Sequence, residues 1–111
     1  MPIYVTQGRY SHDAIKGMVA KPEDRADEVA KLCERAGGKL LSYYVTLGEY
    51  DFLVISEMPS VKEVSAVVIT AAAGGGVSHL RTMRAMTTAE AKDAFAAAGG
   101  LAASFRPAGT S

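Results

Sequence analysis

The chain has 111 residues, with twelve basic and twelve acidic side chains that cancel at neutral pH. That length holds one domain around one core, and 49% apolar with 22% charged residues is the balance of an ordinary globular protein. Nothing in the sequence resembles the basic stripe that grips a nucleic-acid backbone, so no nucleic-acid partner is expected. No apolar run reaches a membrane-spanning length. A single cysteine, Cys33, excludes an internal disulfide and a cysteine-based metal site. Met1-Pro2-Ile3-Tyr4-Val5 runs straight into a strand pattern with no charged leader or cleavage site, so a cytoplasmic protein is expected.

Residues 2–10 alternate as a strand, with Ile3 and Val5 on one face and Tyr4 and Thr6 on the other. Ser11 is a good N-cap for a short helix carrying Ile15, Met18 and Val19. Pro22 is expected to restart the helix at its first position, with Glu23 and Asp24 in the first turn, where the helix dipole favours acids. Ala26, Val29, Ala30, Cys33 and Ala36 then recur at helical spacing as a buried stripe. Gly37-Gly38 ends that helix through a left-handed cap.

A second strand spans 39–47, with Leu41, Tyr43, Val45 and Leu47 opposite Leu40, Ser42, Tyr44 and Thr46. Leu47-Gly48-Glu49-Tyr50-Asp51 reads as a hairpin turn with Gly48 at positive φ. The third strand, Phe52-Leu53-Val54-Ile55 and onward to Met58-Pro59, hardly alternates, which predicts burial on both faces. Ser60 and Glu63 have capping-box spacing and open a helix with Val61, Val64, Val67, Val68 and Ala71 on its inner side, stopped by Gly74-Gly75-Gly76. A fourth strand covers 77–86. Thr87 and Glu90 repeat the capping box and open an extra helix through Phe95. The run from Ala94 to Ala98 favours helix and offers an oligomer contact. Residues 1–98 form the domain, and 99–111 read as an Ala, Gly, Ser and Pro-rich tail.

This order folds with right-handed crossovers into an α+β, ferredoxin-like βαββαβ unit, a four-stranded antiparallel sheet with helices on one face. A second face buried on strand three calls for a partner. Two sheets packed face to face, a dimeric α/β barrel, supply it, so the expected partner is a second copy of this chain.

No motif calls for a cofactor. Asp51 and Tyr50 beside Gly48 are candidates to anchor a small ligand between subunits, and they equally suit a turn in which Asp51 bonds nearby backbone. Tyr44, His79 and Arg81 join them as candidate ligand contacts, Arg81 for an anionic group. His12 and His79, with Asp13 or Asp51, lack a metal-ligand spacing. His79 is placed with Val77, Arg81 and Met83 on one strand face, while Arg81 and Arg84 fall on opposite faces. The five tyrosines read as packing and interface residues with polar tips. Cys33 reads as a small core residue.

The opening Pro2-Ile3-Tyr4-Val5, Ile15-Lys16, Pro22-Glu23-Asp24-Arg25, Gly37-Gly38-Lys39-Leu40, Gly48-Glu49-Tyr50-Asp51 and Arg84-Ala85-Met86-Thr87 together carry a resemblance. Through them the chain resembles the GYD domain family, small bacterial and archaeal proteins of the dimeric α/β-barrel type, over residues 2–95. A similar Gly-x-Tyr-Asp turn lies near an intersubunit small-molecule site in the effector domains of feast/famine regulators. This chain shows no helix-turn-helix ahead of the domain. The resemblance implies the barrel dimer and leaves three functions open. These are a small-molecule-binding or regulatory module with an intersubunit pocket, a small barrel enzyme such as a cofactor-independent monooxygenase or isomerase, and an assembly protein without a ligand. The lack of an acid–base–nucleophile set favours the first over the second.

Overall fold

The computed structural model describes residues 1–110. Its elements are β1 (Ile3–Tyr10), α1 (His12–Ala20), α2 (Ala26–Arg35), β2 (Lys39–Val45), β3 (Phe52–Glu57), α3 (Val61–Ala73), β4 (Val77–Ala85) and α4 (Thr88–Ala102). The four strands form one antiparallel sheet in the order β2-β3-β1-β4. This is the expected βαββαβ arrangement, with the first crossover split into α1 and α2.

The helix boundaries follow local chemistry. The Ser11 side chain accepts from the Ala14 N–H and starts α1. Pro22 does not start α2. The Asp24 carboxylate accepts from the Ala26 N–H at 2.9 Å, and the helix begins there, leaving residues 21–25 as an irregular link. A carboxylate that can reach an unpaired helical N–H outcompetes the weaker preference of proline for a first position. Gly37, at φ +86°, ends α2 in the left-handed region as expected. Thr87 and Glu90 form a complete reciprocal capping box at the start of α4. These bonds, the Thr87 backbone N–H first, hold the Glu90 carboxyl below its ordinary value.

The core lies between the sheet and α2 and α3. Tyr4, Cys33, Met58 and Val64 are buried together, with Val29, Ala36, Leu40, Val67 and Val68 packed around them. Cys33 is 1% exposed, and burial pushes its thiol up from the ordinary value, as suits an inert core residue. Phe52 and Ser56 of β3 are also buried on this side.

Two bulges correct the simple alternation of the strands. One falls between Leu40 and Ser42, so Leu40 and Tyr43 share the helix-covered face, while Leu41 is the extra residue. The other pairs Gln7 with Arg81 but Arg9 with Ser78, with His79 at φ +52° in the looped-out position. Val77 therefore faces the helices beside Tyr10, and Arg81 and Met83 face the other way. The expected shared face of Val77, Arg81 and Met83 is broken there. Arg81 and Arg84 do lie on opposite faces, opposite Gln7 and Tyr4.

Among the described residues no element covers the second face of the sheet. Its register rows are Tyr44–Leu53–Gln7–Arg81, Ser42–Ile55–Val5–Met83 and Lys39–Glu57–Ile3–Ala85. Apolar side chains fill the middle, and Tyr44, Arg81, Lys39 and Glu57 stand at the rim. Leu53 and Ile55 are only half-buried in the single chain, whereas Phe52 on the helix-covered side is buried.

α4 runs further than expected, through Gly99-Gly100 to Ala102, and makes no more than isolated contacts with any other element. The molecule is accordingly long, 63 × 32 × 21 Å. Among the described residues no helix is long and apolar enough to cross a membrane.

Candidate functional site

At the Tyr10 end of the sheet, the helices stand away from the strands. α1 has no buried residue, and its start is tied to the turn ahead of β4 by the Ser11 N–H donating to the Gly76 carbonyl at 2.9 Å. Between α1, α2 and the end of α3 lies a cleft of about 660 Å³, within the range of small-ligand sites. Tyr10 and Tyr43 form its back wall on the sheet side, and Lys21, Glu23, Arg25, Glu28 and Arg35 surround its opening. Val29, Leu32, Tyr43, Ala71 and Val77 are shared with a smaller apolar pocket of about 100 Å³, which reaches down to Val54, Val64 and Val68. The cleft is polar at its opening and apolar in its depth.

The two tyrosines are held as a unit. Their hydroxyls are 2.5 Å apart. Both rings pack on Phe52, with centroids 5.1 Å from Tyr10 and 6.3 Å from Tyr43. Gly8 makes room for this cluster, because a Cβ there would lie 2.7 Å from both Phe52 Cζ and Leu80 Cδ2. Burial, with the hydrogen bond to Tyr43 next, raises the Tyr10 phenol well above its ordinary value. The Arg25 guanidinium pulls weakly the other way.

The loop at 46–51 holds the same cluster from the other side. Asp51 Oδ2 accepts from the Tyr10 N–H at 3.0 Å, the Asp51 N–H donates to the Gly8 carbonyl at 2.8 Å, and Arg9 Nε donates to the Glu49 carbonyl at 3.0 Å. The Thr46 N–H and hydroxyl close the loop on the Asp51 and Tyr50 carbonyls, both at 2.8 Å. Gly48 does not take the expected positive φ, and a Cβ there would meet nothing within 4 Å. A six-residue connection spreads the reversal over enough bonds that no single residue has to enter the left-handed region.

The predicted contacts thus separate. Asp51 is a backbone anchor that fixes Tyr10, and Tyr50 is half-buried in the loop. Tyr44 and Arg81 lie in one row of the open sheet face. His79 is exposed on the bulge, with Nδ1 3.0 Å from Ser78 Oγ. No two of these residues hydrogen-bond to each other among the described residues. Neither they nor any other described His, Cys, Asp and Glu residues form a group of three able to hold a metal ion. The cleft residues Tyr10, Tyr43, Lys21 and Arg35 were not marked as a site by the sequence. One signal pointed there, the lone Gly8 inside a strand, which marks close approach or a bulge.

Lys21 and Arg35 have no carboxylate within 4.0 Å among the described residues, whereas Arg25 pairs with Glu23 at 3.1 Å, and Glu28 with Lys31 at 3.6 Å. Two unpaired cations therefore stand at the cleft opening.

The model of the GYD domain matches residues 4–95. No curated protein matches the sequence. Among solved structures, TTHA0845 from Thermus thermophilus is similar at 17% identity, with 78% of this chain and 95% of that chain covered and a TM-score of 0.50. A protein described as FFRP-DM1 is similar at 18% identity over 78% of this chain and all of that one, with a TM-score of 0.49. The hypothetical protein PHS023 from Pyrococcus horikoshii shares 17% identity over 78% of this chain and 92% of its own, with a TM-score of 0.48.

Proposed function

This chain belongs to the GYD domain family, and within it we propose a small-molecule-binding protein whose ligand enters the cleft beside Tyr10 and Tyr43. The observation that carries this reading is the graded lining of the cleft. A ligand with an apolar body fits against Val29, Leu32, Ala71 and Val77, and an anionic group fits Lys21 and Arg35 at the opening. Tyr10 keeps its proton at neutral pH, so the tyrosine pair offers hydrogen bonds to a bound molecule rather than a base to a reaction.

The protein acts as a homo-oligomer through its open sheet face. An apolar centre of Val5, Leu53, Ile55 and Met83 with a rim of Tyr44, Arg81, Lys39 and Glu57 has the anatomy of an interface. Pairing two such faces places Tyr44 and Arg81 between subunits, where Arg81 meets a carboxylate of the second copy or of a ligand.

Native mass spectrometry of protein purified from its own host tests both parts. The expected spectrum is an oligomer with extra small-molecule mass, and that mass is lost when Ala71→Phe fills the cleft. A stable monomer sinks the pairing. Extra mass that persists in Ala71→Phe moves the ligand out of the cleft.

A further inference from the structure

We propose that the cleft takes a slender anionic amphiphile with an oxygen at the far end of its apolar chain, and that this oxygen hydrogen-bonds to the Ser56 hydroxyl in the inner pocket. The inference rests on the cleft reading above and deepens it by giving the ligand a second polar end.

The helix-covered side of β3 carries Phe52, Val54 and Ser56, with the buried Met58 just beyond. Ser56 is the exception in this apolar series. It is 4% exposed, and it is the only buried polar residue among those described. Its neighbours across the sheet are Tyr4 and Leu40, both part of the core. A hydroxyl in such a position ordinarily has a hydrogen-bond partner. Here no side-chain hydrogen bond reaches it among the described residues, and no fully enclosed side-chain oxygen is left without a partner. The Ser56 hydroxyl is therefore turned into the apolar pocket of about 100 Å³ that it lines beneath α2 and α3. The other polar groups on that pocket are engaged or weak. Thr6 Oγ1 is 3.0 Å from Thr82 Oγ1, and the Tyr43 hydroxyl is bonded to Tyr10. Cys33 offers only a thiol, a weak donor.

The dimensions fit one narrow chain end. Tyr43 pairs with Val54, and Ser56 lies one pleat further along β3, about 7 Å. A volume of about 100 Å³ holds about three or four groups the size of a water or a methylene. About three chain carbons and an oxygen, followed by a hydrogen bond of about 2.8 Å, cover that depth. Val29, Leu32 and Ala71 line both the cleft and the pocket and give the chain apolar cover on its way in. A plain alkyl end fills the same space but leaves the Ser56 hydroxyl unpaired in apolar surroundings, which disfavours it. The anionic end stays in the cleft, where Lys21 and Arg35 supply positive charge.

The test is calorimetric titration of the full-length chain with decanoate and with ω-hydroxydecanoate, two acids that differ by a single oxygen. The unaltered protein is expected to bind ω-hydroxydecanoate about tenfold more tightly or better. Ser56→Ala is expected to bring the two acids within about threefold of each other, with the thermal midpoint showing that the variant is folded. Equal binding of the two acids by the unaltered protein overturns the inference, and that comparison needs no variant. A preference that persists in Ser56→Ala overturns it as well. Ala71→Phe tests the underlying cleft reading separately. If it abolishes binding of two acids that the unaltered protein does not distinguish, the cleft reading stands and the distal oxygen is refuted. Binding of neither acid refutes the proposed class, and a host-derived mass lost in Ala71→Phe then leaves the cleft reading standing.

Discussion

The helix-covered face of the sheet is closed at its Tyr4 end and open at its Tyr10 end. At the closed end Tyr4, Cys33, Met58 and Val64 are almost fully buried, with Met58 at 0% exposure. A Cβ on Gly38 would collide with the Glu57 carbonyl, so even the chain leaving α2 is pressed against the strand. At the open end α1 buries nothing, and the space above Tyr10 and Tyr43 is a cleft. The same four strands serve both ends. What differs is the filling. The closed end is held by dispersion and apolar burial. The open end is held by the packing of Tyr10 and Tyr43 on Phe52 and by a few hydrogen bonds, between the Tyr10 and Tyr43 hydroxyls and from the Tyr10 N–H to Asp51. Close packing is concentrated at the end away from the cleft, and fewer buried contacts surround the cleft itself.

Three substitutions probe that division. Met58→Ala at the closed end is expected to cost most, about 2–5 kcal/mol, because a fully buried side chain leaves a cavity that the neighbours cannot fill. Chemical denaturation measures it, and a loss well below that range makes the closed end no tighter than the open one. Asp51→Ala at the open end is expected to cost less, about 1–3 kcal/mol, by leaving the part-buried Tyr10 N–H unpaired. It should also alter the environment of Tyr10, read as a shift of its ring resonances. Unchanged Tyr10 resonances would separate the loop from the cleft.

Tyr43→Phe has the smallest effect at neutral pH, about 1 kcal/mol for one lost hydroxyl bond, and it changes the pH dependence. The Tyr10 pKa is raised by folding, so the folded chain holds that proton more tightly than the unfolded one. The associated stability is complete below the ordinary tyrosine pKa and is lost as pH rises from there toward the raised folded value. Tyr43→Phe removes one cause of the rise, so its thermal midpoint should fall less steeply above about pH 10. Equal slopes in the two proteins would assign the rise to burial and the Asp51 charge and not to Tyr43.

Much of this was legible before folding was considered. The strands, Ser11, Gly37, the Thr87–Glu90 box and the buried stripe of α2 depend on neighbours within a few positions, and caps and periodicity are local physics. Asp24 taking the place expected for Pro22 was a contest between two local preferences. Other features came from residues far apart in the chain. The bulge at His79 and the close approach of Phe52 over Gly8 bring β1, β3 and β4 together, and they move Val77 to the other face from Met83. Asp51 found its partner at Tyr10, forty-one positions away, where a turn residue would have bonded its own loop.

The sequence by itself determined the element order, the antiparallel ferredoxin-like sheet and the family, because hydrophobic period, caps and turns leave few topologies open. Only the tertiary structure decided which faces the side chains occupy beyond the bulges, that Tyr10 and Tyr43 meet above Phe52, and that α1 stands off the sheet to leave a cleft. A one-residue bulge reverses every side chain beyond it, and a cavity is the space that several distant elements fail to fill, so neither is written in any short stretch of the chain.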